Sequence, residues 1–136
     1  MILLVLDRNA GTPVYRQIVE QLRFQAASGV LEAGQELPST RALAARHEVN
    51  PMTVSKAYAE LEREGVVERR PGRPHVVASR PASETARDRQ SELTRALQPA
   101  VAAARQLGLD AEQALALFAR ALAAGSATET RTPDGD

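Results

Sequence analysis

The chain has 136 residues, 43% of them hydrophobic and 25% charged, with a formal net charge of zero. Such a composition belongs to an ordinary soluble chain with room for one compact domain, or a small domain plus an appendage. Cysteine and tryptophan are absent and aromatics make up 3%. This excludes disulfide staples, thiolate zinc sites and cysteine nucleophiles, and it leaves an aliphatic, alanine-rich core suited to helix packing.

The opening run "MILLVLDRN" is too short to cross a membrane and lacks the basic leader and cleavage pattern of a signal peptide. It reads as a strand over Ile2 to Leu6 in a cytoplasmic protein. A turn-rich linker with Asn9 and Gly11 follows. Thr12 is placed to cap a helix whose first residue is Pro13. Val14, Ile18 and Leu22 recur at spacing four, widened by Tyr15, Val19 and Ala26, so the first helix is amphipathic and ends near Ser28-Gly29. "VLEAGQELPS" is a loop anchored by Leu31 and Leu37. Ser39 caps a short helix, "TRALAARH", packed through Leu43 and Ala44. After a turn, Asn50 caps a third helix with Pro51 at its first position, a buried face of Val54, Ala57, Tyr58 and Leu61, and Gly65 as its stop.

Two β-branched pairs, Val66-Val67 and Val76-Val77, flank an arginine-rich Pro-Gly turn and predict a hairpin with a basic tip. "SRPASETARD" reads as a polar linker. Beyond it, Leu93, Leu97, Val101 and Leu107 line a helix over "RQSELTRALQPAVAAARQLG", kinked at Pro99. Asp110 and Gln113 have the spacing of a capping box for a last helix, with Leu115, Phe118 and Leu122 in its stripe. Residues 125–136 read as disordered.

The zero net charge conceals a basic middle. Residues 39–80 carry eight cations against five acids, while the segments on either side are mildly acidic. Within that middle, "NPMTVSKAYAELEREG" (residues 50–65) has no acid in its first turn, and Glu60, Glu62 and Glu64 lie near its far end, opposite to what the helix dipole favours. A helix start free of acids leaves backbone N–H groups and a positive field open to an anion. Met52, Thr53, Ser55 and Lys56 on its solvent side could meet a thymine methyl, bases and phosphate. Helix, short capped helix, turn, capped helix and hairpin is the order of a winged helix-turn-helix, in which the last helix enters the DNA major groove.

The stretches "PVYRQIVEQL", "GVLEAGQELPSTRALA", "VNPMTVSKAYAELEREGVV" and "RRPGRPHVVA" resemble the DNA-binding domain of the GntR family of bacterial transcription regulators over residues 13–78. The run "LDRNAGTPVYRQI" and the short two-helix tail are similar to the YtrA-like subfamily. The resemblance implies a mainly α fold with a small β-hairpin wing: a winged helix-turn-helix over residues 1–80, then a two-helix dimerisation region over 81–124. It implies a sequence-specific regulator, a repressor acting as a homodimer on a palindromic operator of double-stranded DNA, with transporter operons a common target. The candidate DNA-contacting set is Ser39, Thr40 and Arg41 at the start of the short helix, Asn50, Met52, Thr53, Ser55 and Lys56 on the recognition helix, and Arg70, Gly72 and Arg73 in the wing. Tyr58 belongs to the set and to the core at once. The wing departs from the family's Gly-basic-Gly pattern, since Pro74 follows Gly72-Arg73.

The tail's apolar stripe, Leu93, Leu97, Val101, Leu115, Phe118 and Leu122, exceeds what the small domain needs and suits either pairing with a second copy or folding back as a lid. Two such helices cannot enclose a ligand cavity within one chain, so a small-molecule effector would sit at the dimer interface or between tail and DNA-binding domain. No cofactor is expected. Lys56 is the sole lysine and lies in the recognition helix, which rules out pyridoxal phosphate chemistry on this chain. No nucleophile–base pair, carboxylate pair or Gly-rich phosphate loop is present, and two histidines without acids at ligand spacing argue against a metal. The rival reading is a winged helix serving as a protein-interaction module, which needs neither a basic tip nor an acid-free helix start.

Overall fold

The computed structural model describes residues 2–129, with side chains through residue 125. Five helices and one hairpin follow in order: α1 (Val14–Ser28), α2 (Thr40–His47), α3 (Pro51–Arg63), β1 (Val67–Glu68), β2 (Val76–Val77), α4 (Ala82–Gln106) and α5 (Ala111–Glu129). The chain divides into two compact units, Met1–Glu92 and Leu93–Asp136.

In the first unit, one aliphatic cluster joins Ile18, Val19 and Leu22 of α1, Leu43 and Ala44 of α2, and Val54, Ala57, Tyr58 and Leu61 of α3, closed by Val66, Val67 and Val77 of the wing. These are the positions that spacings of three and four place on one face of each helix. Full burial of such a side chain stabilises by roughly 1.5–3 kcal/mol. The caps act locally. Ser39 Oγ accepts from Ala42 N at 3.1 Å, and Asn50 Oδ1 accepts from Met52 N at 2.8 Å. The first helix starts one residue later than its sequence signals indicate. Pro13 stands at the cap position, no side chain caps it, and the Thr12 carbonyl accepts instead from Gln17 Nε2 at 2.8 Å.

Two helices in this unit end in the same motif with different residues. After α3, Gly65 adopts φ 78° and Val66 N donates to Leu61 O at 2.9 Å. After α2, Val49 N donates to Ala44 O at 3.0 Å, but the left-handed position is held by Glu48, φ 55°. That residue sets the turn between the two helices.

The expected strand at Ile2–Leu6 does not form: among the described residues no ladder joins it to another strand. The segment keeps the alternation of a strand, with Ile2 and Leu4 buried and Leu3 and Val5 exposed. Its partner is a row of glutamines on α1. Gln25 Nε2 donates to Leu3 O at 2.7 Å; the Gln21 amide accepts from Val5 N at 2.9 Å and donates to Val5 O at 2.7 Å; Gln17 does the same for Asp7 at 2.8 and 2.7 Å. Two residues of extended chain advance about 6.6 Å and four residues of helix about 6.0 Å. Glutamines every four positions therefore stay in step with every second residue of the segment.

The hairpin pairs Val67 with Val77 and Glu68 with Val76, antiparallel. The loop before α2 adds a third edge: Leu37 N donates to His75 O at 2.8 Å, Val77 N to Gln35 O at 2.9 Å, and Glu36 bridges Val76. At the tip, Arg73 N donates to Arg70 O at 3.0 Å across Pro71 and Gly72, the latter at φ 68°. Pro at the second and left-handed Gly at the third position of a four-residue turn are the signature of type II.

Most of the expected polar linker over 79–88 is helical, because α4 begins at Ala82. Arg80 bonds Glu84 at 3.3 Å and Asp88 at 3.4 Å, and Thr85 N bonds Pro81 O at 3.0 Å, so charges four and eight residues apart supply the start that the apolar pattern does not reveal. The helix continues through Pro99 to Gln106.

In the second unit, Gly108 at φ 72° ends α4, with Leu109 N on Ala104 O at 2.9 Å. The capping box of α5 is present in both directions: Gln113 N donates to Asp110 Oδ1 at 2.8 Å and Asp110 N to Gln113 Oε1 at 3.1 Å. α5 extends to Glu129, past the predicted end near 124; residues 130–136 of the segment expected to be disordered lie outside the described residues. Leu93, Val101, Leu107, Leu115, Leu117, Phe118 and Leu122 are all exposed.

Candidate nucleic-acid interface

The start of α3 is held rigidly from below. Val54, Ala57, Tyr58 and Leu61 anchor one face in the core, so Met52, Ser55 and Lys56 project outward and Thr53 is half-exposed. Met52 is 74% exposed, high for an apolar side chain on a well-packed helix. The field of the helix start is unopposed by any acid in the first turn.

The backbone amides there are less available than the sequence suggests. Pro51 has none. Met52 N is taken by the Asn50 side chain, and Thr53 N and Val54 N reach Asn50 O at 2.9 and 3.4 Å. An anion at this end would meet side chains and field rather than free N–H groups. Asn50 is accordingly a cap whose side-chain oxygen is already engaged. The start of α2 is different: Ser39 engages Ala42 N and Leu43 N, leaving the amides of Thr40 and Arg41 without a partner among the described residues, beside the exposed Arg41 guanidinium. Of the two helix starts, α2 has the more open backbone amides.

Tyr58 leaves the candidate set. It is 1% exposed, its hydroxyl donates to Pro38 O at 2.8 Å, and its ring meets His75 edge-on at 5.1 Å. Burial pushes its phenol well above the ordinary tyrosine value. It ties α3 to the loop before α2 and to the wing. Arg70, Gly72 and Arg73 are exposed at the wing tip, with Arg70 near Glu68 at 3.9 Å.

Two of the three displaced glutamates, Glu60 and Glu64, have partners. Glu60 accepts from the Arg63 guanidinium, which holds its carboxyl below the ordinary range. Glu64 binds Arg23 of α1 at 2.9 Å, and Arg23 also binds Glu92 of α4 at 2.9 Å. Glu64 at the far end of the recognition helix is thus part of its attachment to the rest of the unit.

Tyr15, read from the sequence as a core residue, also reaches the interface. Lys56 Nζ lies 3.9 Å from its ring centroid, and Tyr15, Met52, Thr53, Ser55 and Lys56 line an open groove of about 750 Å³ between α1 and α3. Nothing in the spacing of Tyr15 and Lys56 along the chain announces this contact. No group of residues capable of holding a metal ion occurs among the described residues, and no described helix is long and apolar enough to cross a membrane.

Residues 14–77 match the family described as bacterial regulatory proteins, gntR family. The transcriptional repressor YtrA of Bacillus subtilis is 33% identical over 79% of this chain and 83% of its own length. Among solved structures, a GntR family transcriptional regulator from Listeria monocytogenes superposes with TM-score 0.69 at 27% identity, covering 82% of this chain and 97% of that one. YtrA from Sulfolobus acidocaldarius, a GntR-family transcription factor, gives TM-score 0.54 at 30% identity over 88% and 97%. These relatives are transcription regulators rather than enzymes. A winged helix-turn-helix with an acid-free recognition-helix start, matched at this level, places the chain in the GntR family of DNA-binding transcription regulators, in its YtrA-like branch.

Proposed function

We propose that this chain is a cytoplasmic, sequence-specific repressor that binds a palindromic operator as a homodimer. The observation that supports this most is the projection of Met52, Ser55 and Lys56, beside a half-exposed Thr53, from an acid-free helix start whose opposite face is locked in the core. In this reading Thr53, Ser55 and Lys56 meet bases and the adjacent phosphate, Met52 meets a thymine methyl, and Asn50 fixes the helix start. Ser39, Thr40 and Arg41 grip a phosphate through the open amides of α2 and the guanidinium. Arg70, Gly72 and Arg73 reach along the neighbouring groove, with the type II turn setting their direction.

Pairing of two copies through Leu93, Leu97, Val101, Leu115, Phe118 and Leu122 would cover the half-buried Leu97 and account for the exposure of the other five, which is 68% at Leu115 and 59% at Leu122. A two-fold dimer would present two recognition helices to half-sites related by the same axis. A small-molecule effector would act at that dimer interface, and the likeness to the repressor YtrA makes a transporter operon the first target to test.

Selection of bound duplexes from a randomised pool, followed by titration at two salt concentrations, tests the reading. A palindromic consensus is expected, with affinity falling steeply as salt rises. Arg41→Ala and Lys56→Ala should each weaken binding and reduce the salt slope by about one, with little change in melting temperature. Leu115→Asp with Leu122→Asp should give monomers that lose most operator affinity. A pool that returns no enriched sequence would falsify operator recognition and favour a protein-interaction module.

A further inference from the structure

We propose that Tyr15 is a positioning residue for Lys56, holding its ammonium at the mouth of the groove between α1 and α3 so that it meets DNA already oriented. The inference rests on the reading of Lys56 as a DNA contact and adds a residue on another helix that makes this contact selective.

Three observations support it. Lys56 Nζ lies 3.9 Å from the Tyr15 ring centroid, well inside the range in which a ring face attracts a cation. The ring is itself fixed by packing: Tyr15 is half-buried against the core cluster, a contact that needs no hydroxyl, and the bond from Arg16 Nη2 to its hydroxyl at 3.2 Å is additional. Finally, no carboxylate forms a salt bridge with Lys56 among the described residues, although acids are plentiful farther along the same helix.

The last point sets the chemistry. A lysine has a long flexible stem, and an exposed one samples many rotamers whose freedom is lost on binding. A carboxylate would fix the ammonium but cancel its charge, and a phosphate would have to displace it. A ring face orients the cation while leaving its charge and its three N–H donors free for an incoming acceptor. Met52, Thr53 and Ser55 line the same groove, so the direction of Lys56 relative to these neighbours decides whether it bonds one base or phosphate or wanders among several. The expected consequence of losing the ring is a weaker and less discriminating lysine with the same charge.

The test uses the full chain with Tyr15→Phe, Tyr15→Leu, Lys56→Ala and the double variant Tyr15→Leu/Lys56→Ala. The probes are the duplex enriched by the wild type from a randomised pool and a scrambled duplex of equal length. Tyr15→Phe should retain affinity. Tyr15→Leu should lose roughly twofold to fivefold on the enriched duplex, less on the scrambled one, with an unchanged salt slope because no charge has been removed. In the Lys56→Ala background, Tyr15→Leu should cost nothing more. An equal loss in both backgrounds means that Tyr15 acts by packing alone, and a loss in Tyr15→Phe means that its hydroxyl is the contact; either overturns the inference. If Lys56→Ala itself leaves DNA binding unchanged, the role of Lys56 falls and the inference with it.

A second measurement needs no DNA. Lys56 is the only lysine in the chain, so isotope-labelled lysine yields a single side-chain signal. Its ε-methylene protons should be displaced by the Tyr15 ring current in the wild type and in Tyr15→Phe, and return to the free-lysine position in Tyr15→Leu. A free-lysine signal in the wild type overturns the inference while leaving DNA binding untouched.

Discussion

The side-chain amide of Gln21 closes both backbone hydrogen bonds of Val5, accepting from its N–H at 2.9 Å and donating to its carbonyl at 2.7 Å. A single glutamine thereby takes the place of one residue of a neighbouring strand. With Gln17 on Asp7 and Gln25 on Leu3, it fastens the amino-terminal segment over the core and lets Ile2 and Leu4 be buried without a sheet.

Gln21→Ala should therefore loosen this segment without unfolding the domain. The bonds are solvent-accessible, so a loss of about 1 kcal/mol in urea denaturation is expected. Hydrogen exchange at the Val5 amide should accelerate far more than exchange in α3. Uniform acceleration through the domain would show that the glutamine row has a wider role.

Glu48 occupies a left-handed conformation at φ 55° that elsewhere among the described residues is taken by glycine. An L-residue with a Cβ pays about 1 kcal/mol or more for that conformation. Glu48→Gly should raise stability by about 0.5–1 kcal/mol, read as a higher melting temperature. The same change removes an acid from the turn between α2 and α3, so DNA affinity should rise rather than fall.

Tyr58 links the recognition helix to the loop before α2 through Pro38 O. Tyr58→Phe should cost about 1–2 kcal/mol, because the carbonyl loses its donor. The phenol is favoured in its neutral form by burial, so its folded pKa is raised. Its contribution is complete below the unfolded value of about 10 and is lost as pH rises past that value toward the higher folded one. Thermal unfolding followed from pH 8 to 11 should show stability falling at the alkaline end, and Tyr58→Phe should flatten that fall.

Arg23 bonds Glu64 and Glu92, each at 2.9 Å, with all three side chains largely buried. Removing the shared cation leaves two carboxylates close together in a poorly solvated place. Arg23→Met should destabilise the first unit by about 3 kcal/mol in chemical denaturation. Arg63→Met, which breaks a surface pair with Glu60, should leave the denaturation midpoint nearly unchanged.

Local signals in the sequence were sufficient for much of this protein. Ser39, Asn50 and the Asp110–Gln113 pair cap the helices expected of them, and Val54, Ala57, Tyr58 and Leu61 form the expected buried face. Caps, turns and helical periodicity act within one or two turns of chain, so a single stretch of residues carries the whole of their physics. The order of these elements is likewise what made the winged helix legible. Tertiary structure decided the rest. Ile2–Leu6 became a glutamine-bound segment because its partner lies 16 to 22 residues away. Glu64, at the end of α3, acquired a structural purpose through Arg23, 41 residues away in α1, which also binds Glu92 of α4, 69 residues from it. The groove beside Lys56 exists because α1 brings Tyr15 against α3. Each depends on distances that only packing fixes, and packing is a property of the whole core rather than of any stretch within it.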